Sequence, residues 1–173
     1  MNTQELSGMW NHLRMCHGIA RRAVAAIPAD KIHSRPIPSM RTPVELVVHT
    51  YATAVREMAE GVARGEITEP DEVGMVARIE TREDLLALVD ESWAAATRAV
   101  SSIRDAQLKA IVKTYWDANG APGYRYFGAL QDEFLHHRGQ LYVYLRALGQ
   151  EPPMVWDFEN NASEFRPQSH ATA

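Results

Sequence analysis

The chain carries one cysteine in 173 residues, Cys16, so no internal disulfide can form. That scarcity fits a reducing compartment, and a lone cysteine among apolar helical neighbours reads as a small core residue rather than a nucleophile. No apolar run approaches the ~20 residues that span a bilayer. The opening Met1-Asn2-Thr3-Gln4-Glu5 lacks the basic and apolar regions of a secretory signal. Lysine and arginine never form a block, and the formal net charge is -4, which argues against a dedicated nucleic-acid binder. The expectation is a soluble cytoplasmic protein with neither membrane nor nucleic acid as a partner. No internal repeat or low-complexity tract is present.

What remains is ordinary globular material, 46% hydrophobic and 23% charged. The length suits one domain, a bundle of four or five helices. Four stretches repeat apolar residues at steps of three and four, the mark of a buried helix face. The first covers residues 3–27, with Leu6, Trp10, Leu13, Val24 and Ile27 on its stripe and Pro28 at its end. Cys16 and His17 share that stripe. His17 reads as a hydrogen-bonded core histidine, with a fourth group beside a metal as the alternative. Pro36 and Pro38 then make residues 31–41 a surface crossing.

The second helix has a clear start. Thr42-Pro43-Val44-Glu45 is an N-cap threonine, a proline at the first helical position and a glutamate at the third, a capping box. Val44, Val48, Tyr51, Val55 and Val62 continue its stripe, and Gly65 is placed to end it. Residues 66–79 read as a solvated acidic loop or a short helical turn. The third helix spans residues 81–104, capped by Thr81 with Asp84. Residues 105–113 extend a hairpin or short helix, and residues 114–123 are loop by their Gly, Pro and Asn content. The fourth helix spans 124–148, with Gly149 just past its end and Pro152-Pro153 forbidding continuation. Trp156 and Phe158 are expected to pack back on the bundle. Residues 1–158 thus form a single domain, and 159–173 a loosely ordered tail. The fold class is all-α: a four-helix bundle with a long crossover loop and a short C-terminal tail.

The chemistry gathers in Glu133-Phe134-Leu135-His136-His137-Arg138-Gly139-Gln140-Leu141. Phe134 and Leu141 mark the buried face, and Glu133 and His137, four apart, lie together on or beside it. A carboxylate and an imidazole aimed at a core need a partner, and a metal ion satisfies both. His136 is turned about 100° away toward Asp132 and Gln140, so it ranks below His137 as a ligand. His49, at the edge of the second helix's stripe, completes two nitrogens and one oxygen. Three protein ligands with open positions describe a catalytic site, compatible with zinc, nickel or iron. Glu133 and His137 are the candidate catalytic pair.

The stretches Met40-Arg41-Thr42-Pro43-Val44-Glu45-Leu46-Val47-Val48-His49 and His136-His137-Arg138-Gly139-Gln140-Leu141-Tyr142-Val143-Tyr144-Leu145-Arg146-Ala147-Leu148-Gly149, with Glu151-Pro152-Pro153 behind, resemble the DinB/YfiT-like metalloenzyme family. The resemblance implies a four-helix bundle, a homodimer, and a divalent metal held by three histidines. His49 and His137 match two of them. Glu133 stands where the family pattern has the third, so it ligates, stands one water away as a base, or marks a vestigial site. His136 matches a supporting position. The resemblance also implies a small-molecule transferase or hydrolase that uses a low-molecular-weight thiol such as mycothiol or bacillithiol, with metal-activated thiolate or water. The alternative is a non-catalytic dimeric bundle serving a stress-related binding or structural role.

Overall fold

Each of the four apolar stripes forms a long helix in the computed structural model, which describes residues 1–168. The end of the expected loose tail, residues 169–173, lies outside the described residues. Helix α1 is Thr3–Ala25, capped by Asn2, whose side chain accepts from the Glu5 amide while the Glu5 carboxylate accepts from the Asn2 amide. A single rod follows the proline crossing: α2 (Pro43–Val48), a π-helical turn (His49–Glu57) and α3 (Met58–Arg64). Short α4 (Glu72–Arg78) leads into α5 (Arg82–Ser102), then α6 (Asp105–Lys109) and finally α7 (Gly123–Ala147).

The expected punctuation is in place. Thr42 Oγ1 accepts from the Glu45 amide, and Glu45 Oε2 accepts from the Thr42 amide at 2.7 Å. Thr81 and Asp84 form the same reciprocal pair at the start of α5. Gly65 (φ 95°) and Gly149 (φ 75°) take left-handed conformations past α3 and α7, where a side chain would be strained. The buried faces converge on one core that includes Leu13, Ile19, Val44, Tyr51, Val55, Leu85, Val89, Phe127, Phe134 and Leu145.

Three stretches refine or overturn the sequence reading. Residues 114–123, expected as loop, fold with the preceding residues into a hairpin of β2 (Ile111–Thr114) and β3 (Asp117–Pro122). Strand β1 (Glu66–Ile67) pairs parallel to β2, giving a three-stranded sheet in the order β1-β2-β3. Burial alternates along β2, with Val112 and Thr114 inward, but four residues are too few for that period to stand out in sequence. The acidic stretch at 66–79, read as a solvated loop or a short helical turn, takes the helical alternative as α4, capped by the Asp71 side chain, which accepts from the Gly74 amide.

The third difference is the tail. It is anchored well beyond residue 159. Asn161 is 1% exposed, and its Nδ2 donates to the carbonyls of Met15 and Phe165 at 3.0 and 3.2 Å. Arg14 donates to the carbonyls of Glu164 and Arg166, and Arg22 pairs with Asp157 at 2.7 Å. A Cβ on Gly18 would stand 2.5 Å from Asn161 Nδ2, so the glycine lets the tail close on α1. Polar clamps of this kind leave no apolar period for a sequence reading to find.

Thr42→Ala removes the hydroxyl that caps the rod carrying His49. It is expected to lower unfolding free energy by about 1 kcal/mol in denaturant titrations. An unchanged midpoint with an unchanged slope would contradict the cap's energetic role.

Candidate metal centre

His49 opens the π-helical turn, and Glu133 and His137 lie one turn apart on α7. Packing the rod against α7 brings them together. The His49 and His137 rings meet edge to face at 4.9 Å, and one ligand atom from each of the three residues lies within 4.8 Å of the others. Phe134, Tyr51 and Leu141 close the apolar side beneath His137.

Hydrogen bonds decide which ring nitrogens face the centre. His49 Nδ1 lies 2.7 Å from Glu72 Oε1. A carboxylate oxygen only accepts, so Nδ1 carries a proton, and in the neutral ring Nε2 keeps its lone pair. His137 Nδ1 lies 2.9 Å from Gln140 Oε1, and Gln140 Nε2 lies 3.0 Å from His136 Nε2. The chain is consistent in one direction: Gln140 donates to His136 and accepts from His137 Nδ1–H. His136 is thus a supporting group that holds the Gln140 amide. His137 Nε2 is left with its lone pair, buried and without a hydrogen-bond partner among the described residues. It stands 2.9 Å from Glu133 Oε2.

Proximity and hydrogen bonding part company in that last contact. The distance is short enough for an ion pair, but with Nδ1 protonated both facing atoms are acceptors. A proton on Nε2 would reconcile them, yet burial pushes the His137 pKa below its ordinary value, outweighing the Gln140 bond and the nearby Glu133 charge that raise it. Two lone-pair donors this close at the edge of an apolar core suit a cation. The imidazole, imidazole and carboxylate set fits a divalent metal, and His49 Nε2, His137 Nε2 and Glu133 would hold it. Glu133 keeps 45% of its side chain exposed and His137 only 9%, so the centre opens toward solvent on the Glu133 side.

The DinB superfamily profile matches residues 12–141, a span that includes all three candidate ligands. The chain belongs to the DinB superfamily. Its fold is similar to the crystal structure of a DinB-like protein, YjoA, from Bacillus subtilis, with a TM-score of 0.68 at 19% identity, covering 86% of this chain and 97% of that one. No curated protein matches it. No helix among the described residues of this DinB chain is long and apolar enough to cross a membrane.

Glu72 and Thr53 escaped the sequence reading. Glu72 lay in an acidic run taken as solvated, yet its Oε1 receives both His49 Nδ1–H and the Thr53 hydroxyl. Burial raises the Glu72 pKa, but the bonds from His49 and Thr53 and the charge of Arg41 outweigh it, so the carboxyl stays below its usual range. Thr53 stands four residues after His49 in the π-helical turn, so the two share one face of the rod and reach the same carboxylate. Only the docking of α4 against that turn reveals the pairing.

His17, the alternative fourth group, belongs to the core. Its Nδ1 lies 3.0 Å from the Tyr51 hydroxyl, and its ring stacks on Trp93 at 4.3 Å between centroids. Burial lowers its pKa to about 3.

Two measurements follow from this geometry. Glu72→Ala frees the His49 ring to rotate and change tautomer, and divalent metal affinity is expected to fall about 10–100-fold in chelator competition. An unchanged affinity would remove Glu72 from the centre. For His17, the unfolded chain binds a proton near pH 6.5 while the folded one resists until about 3. Stability is full above pH 6.5 and declines as pH falls between those values, because the unfolded state then binds more protons. His17→Phe should flatten that part of the stability profile in urea titrations, whereas an identical slope would assign the acid sensitivity elsewhere.

Proposed function

We propose that this DinB protein is a divalent-metal-dependent enzyme acting on a small molecule, a transferase or hydrolase that uses a low-molecular-weight thiol or water as its nucleophile. The single observation that carries the reading is His137 Nε2, a buried nitrogen with no hydrogen-bond partner among the described residues, facing a carboxylate oxygen at 2.9 Å. The metal, zinc, nickel or iron, would supply Lewis acidity that turns a bound thiol or water into a nucleophile near neutral pH.

The chain's own residues do the rest. Glu72 and Gln140 occupy both Nδ1 atoms, which leaves each neutral ring's Nε2 lone pair available to a metal. Phe134 and Tyr51 keep water from the inner side. Glu133, half in solvent, offers its second oxygen as the acceptor for a proton leaving the nucleophile. A homodimer is part of the proposal. Trp156, 67% exposed beside Phe158, is available to a second copy.

The test is elemental analysis of protein purified without chelator or a metal-affinity tag, coupled to a screen of thiol cosubstrates including bacillithiol and mycothiol. About one divalent ion per chain is expected. His137→Ala should lose the ion, His136→Ala should retain most of it, and Glu133→His should bind zinc or nickel more tightly, since imidazole suits borderline metals better than carboxylate. Absence of any ion from every preparation would overturn the reading and leave the non-catalytic bundle.

A further inference from the structure

Beside the candidate metal centre lies an open cleft of about 600 Å³, a size suited to a small molecule. Its lining includes His49, Glu72, Arg41, Glu69, Asp71 and Tyr115. Three carboxylates and one guanidinium therefore meet at one opening, and their partners separate them into two groups. Glu72 is held by His49 and Thr53. Asp71 caps α4 and accepts from the Gly74 amide at 2.8 Å. Arg41 and Glu69 have no hydrogen-bond or ion-pair partner among the described residues, and they do not pair with each other.

The two free charges come from separate segments. Arg41 precedes the Thr42 cap of the rod, and Glu69 lies between β1 and α4. A second cleft of about 410 Å³ adjoins the first and shares Arg41 and Glu72 with it. Its other guanidinium, Arg35, is engaged by the Met40 carbonyl and Glu45. Arg41 is thus the free cation of both clefts among the described residues. Its field reaches the Glu72 carboxyl, while the Glu69 charge reaches the Tyr115 hydroxyl.

A simple anion would meet Arg41 but also the excess negative charge of Glu69, Asp71 and Glu72. A simple cation would meet the carboxylates but leave Arg41 without a counter-charge. We propose that this cleft binds a small zwitterion, an amino acid or amine-bearing carboxylic acid, with its carboxylate on Arg41 and its ammonium on Glu69. The inference rests on the metal-centre reading only in that the bound molecule's remaining end would face His49. Tyr115, half-exposed at the rim, gives that molecule an aromatic wall. Paired recognition also discriminates: losing either charge from the ligand leaves one protein charge facing an unlike neighbour.

Amide chemical-shift titrations of the protein as purified test this, with glycine, β-alanine and γ-aminobutyrate as probes against propionate, butyrate and propylamine. At least one amino acid should bind about tenfold more tightly than the matched carboxylate and amine, since each exposed pair is weak and the two act together. Shifts should centre on residues 41, 49, 69 and 115. Arg41→Gln should reduce that ligand to the affinity of the amine, and Glu69→Gln to that of the carboxylate, with metal content unchanged in both. Equal binding of all three probe classes, or variants that leave the preference intact, would overturn the inference. Metal content measured on the same samples separates the two readings. Bound metal without zwitterion preference sinks this inference alone, and preference without metal sinks the enzyme reading alone.

Discussion

The His137 imidazole sets the constraint around which the functional half of the fold is arranged. A neutral ring has one nitrogen that donates and one that accepts, and burial forces each to be accounted for. Gln140 accepts from Nδ1–H, which leaves the lone pair on Nε2 aimed at Glu133. Everything that fixes this polarity is local to α7: Glu133 one turn before, Gln140 one turn after, and His136 holding the Gln140 amide. The His-His-Arg-Gly-Gln stretch is therefore a hydrogen-bond circuit with a direction, and its open end lies against Glu133, beside the His49 ring.

The second half of the centre is built differently. His49 depends on a carboxylate from another element, so α4 must dock before the ring is fixed. The small sheet belongs to the same framework. It ties β1, which lies between α3 and α4, to the hairpin that leads into α7. The two ligand-bearing helices and the element carrying Glu72 are thus joined at one end of the bundle by backbone hydrogen bonds rather than by side-chain packing alone.

Much of this was legible in the amino acids. Apolar recurrence at three and four located the long helices, and Thr42, Thr81, Gly65 and Gly149 marked their ends, because caps act through immediate neighbours. His49, Glu133 and His137 could be singled out since two share a helix face and the third sits at the edge of another buried stripe. What stayed hidden was non-local. Glu72 is 23 residues from His49 and reads as one more surface acid. The strands are too short for their alternation to stand out, and Asn161 secures the tail by its amide rather than by any apolar pattern. The π turn left no trace either, since its residues continue the helical stripe without a glycine or proline.

That turn has a consequence for how the rod tolerates change in length. An α-helix carries successive residues about 100° around its axis, so removing one residue from a regular helix rotates everything beyond it out of register. A π turn already holds surplus backbone for its span, and such bulges sit inside otherwise regular helices. Deleting a residue between Thr50 and Arg56 would relax the segment to an ordinary helix while the faces of α2 and α3 kept their partners. The core would survive the excision, but the side chains within the segment would turn about the rod axis relative to Glu72. The segment is in effect a splice point, where chain length trades against the geometry of the centre rather than against the fold.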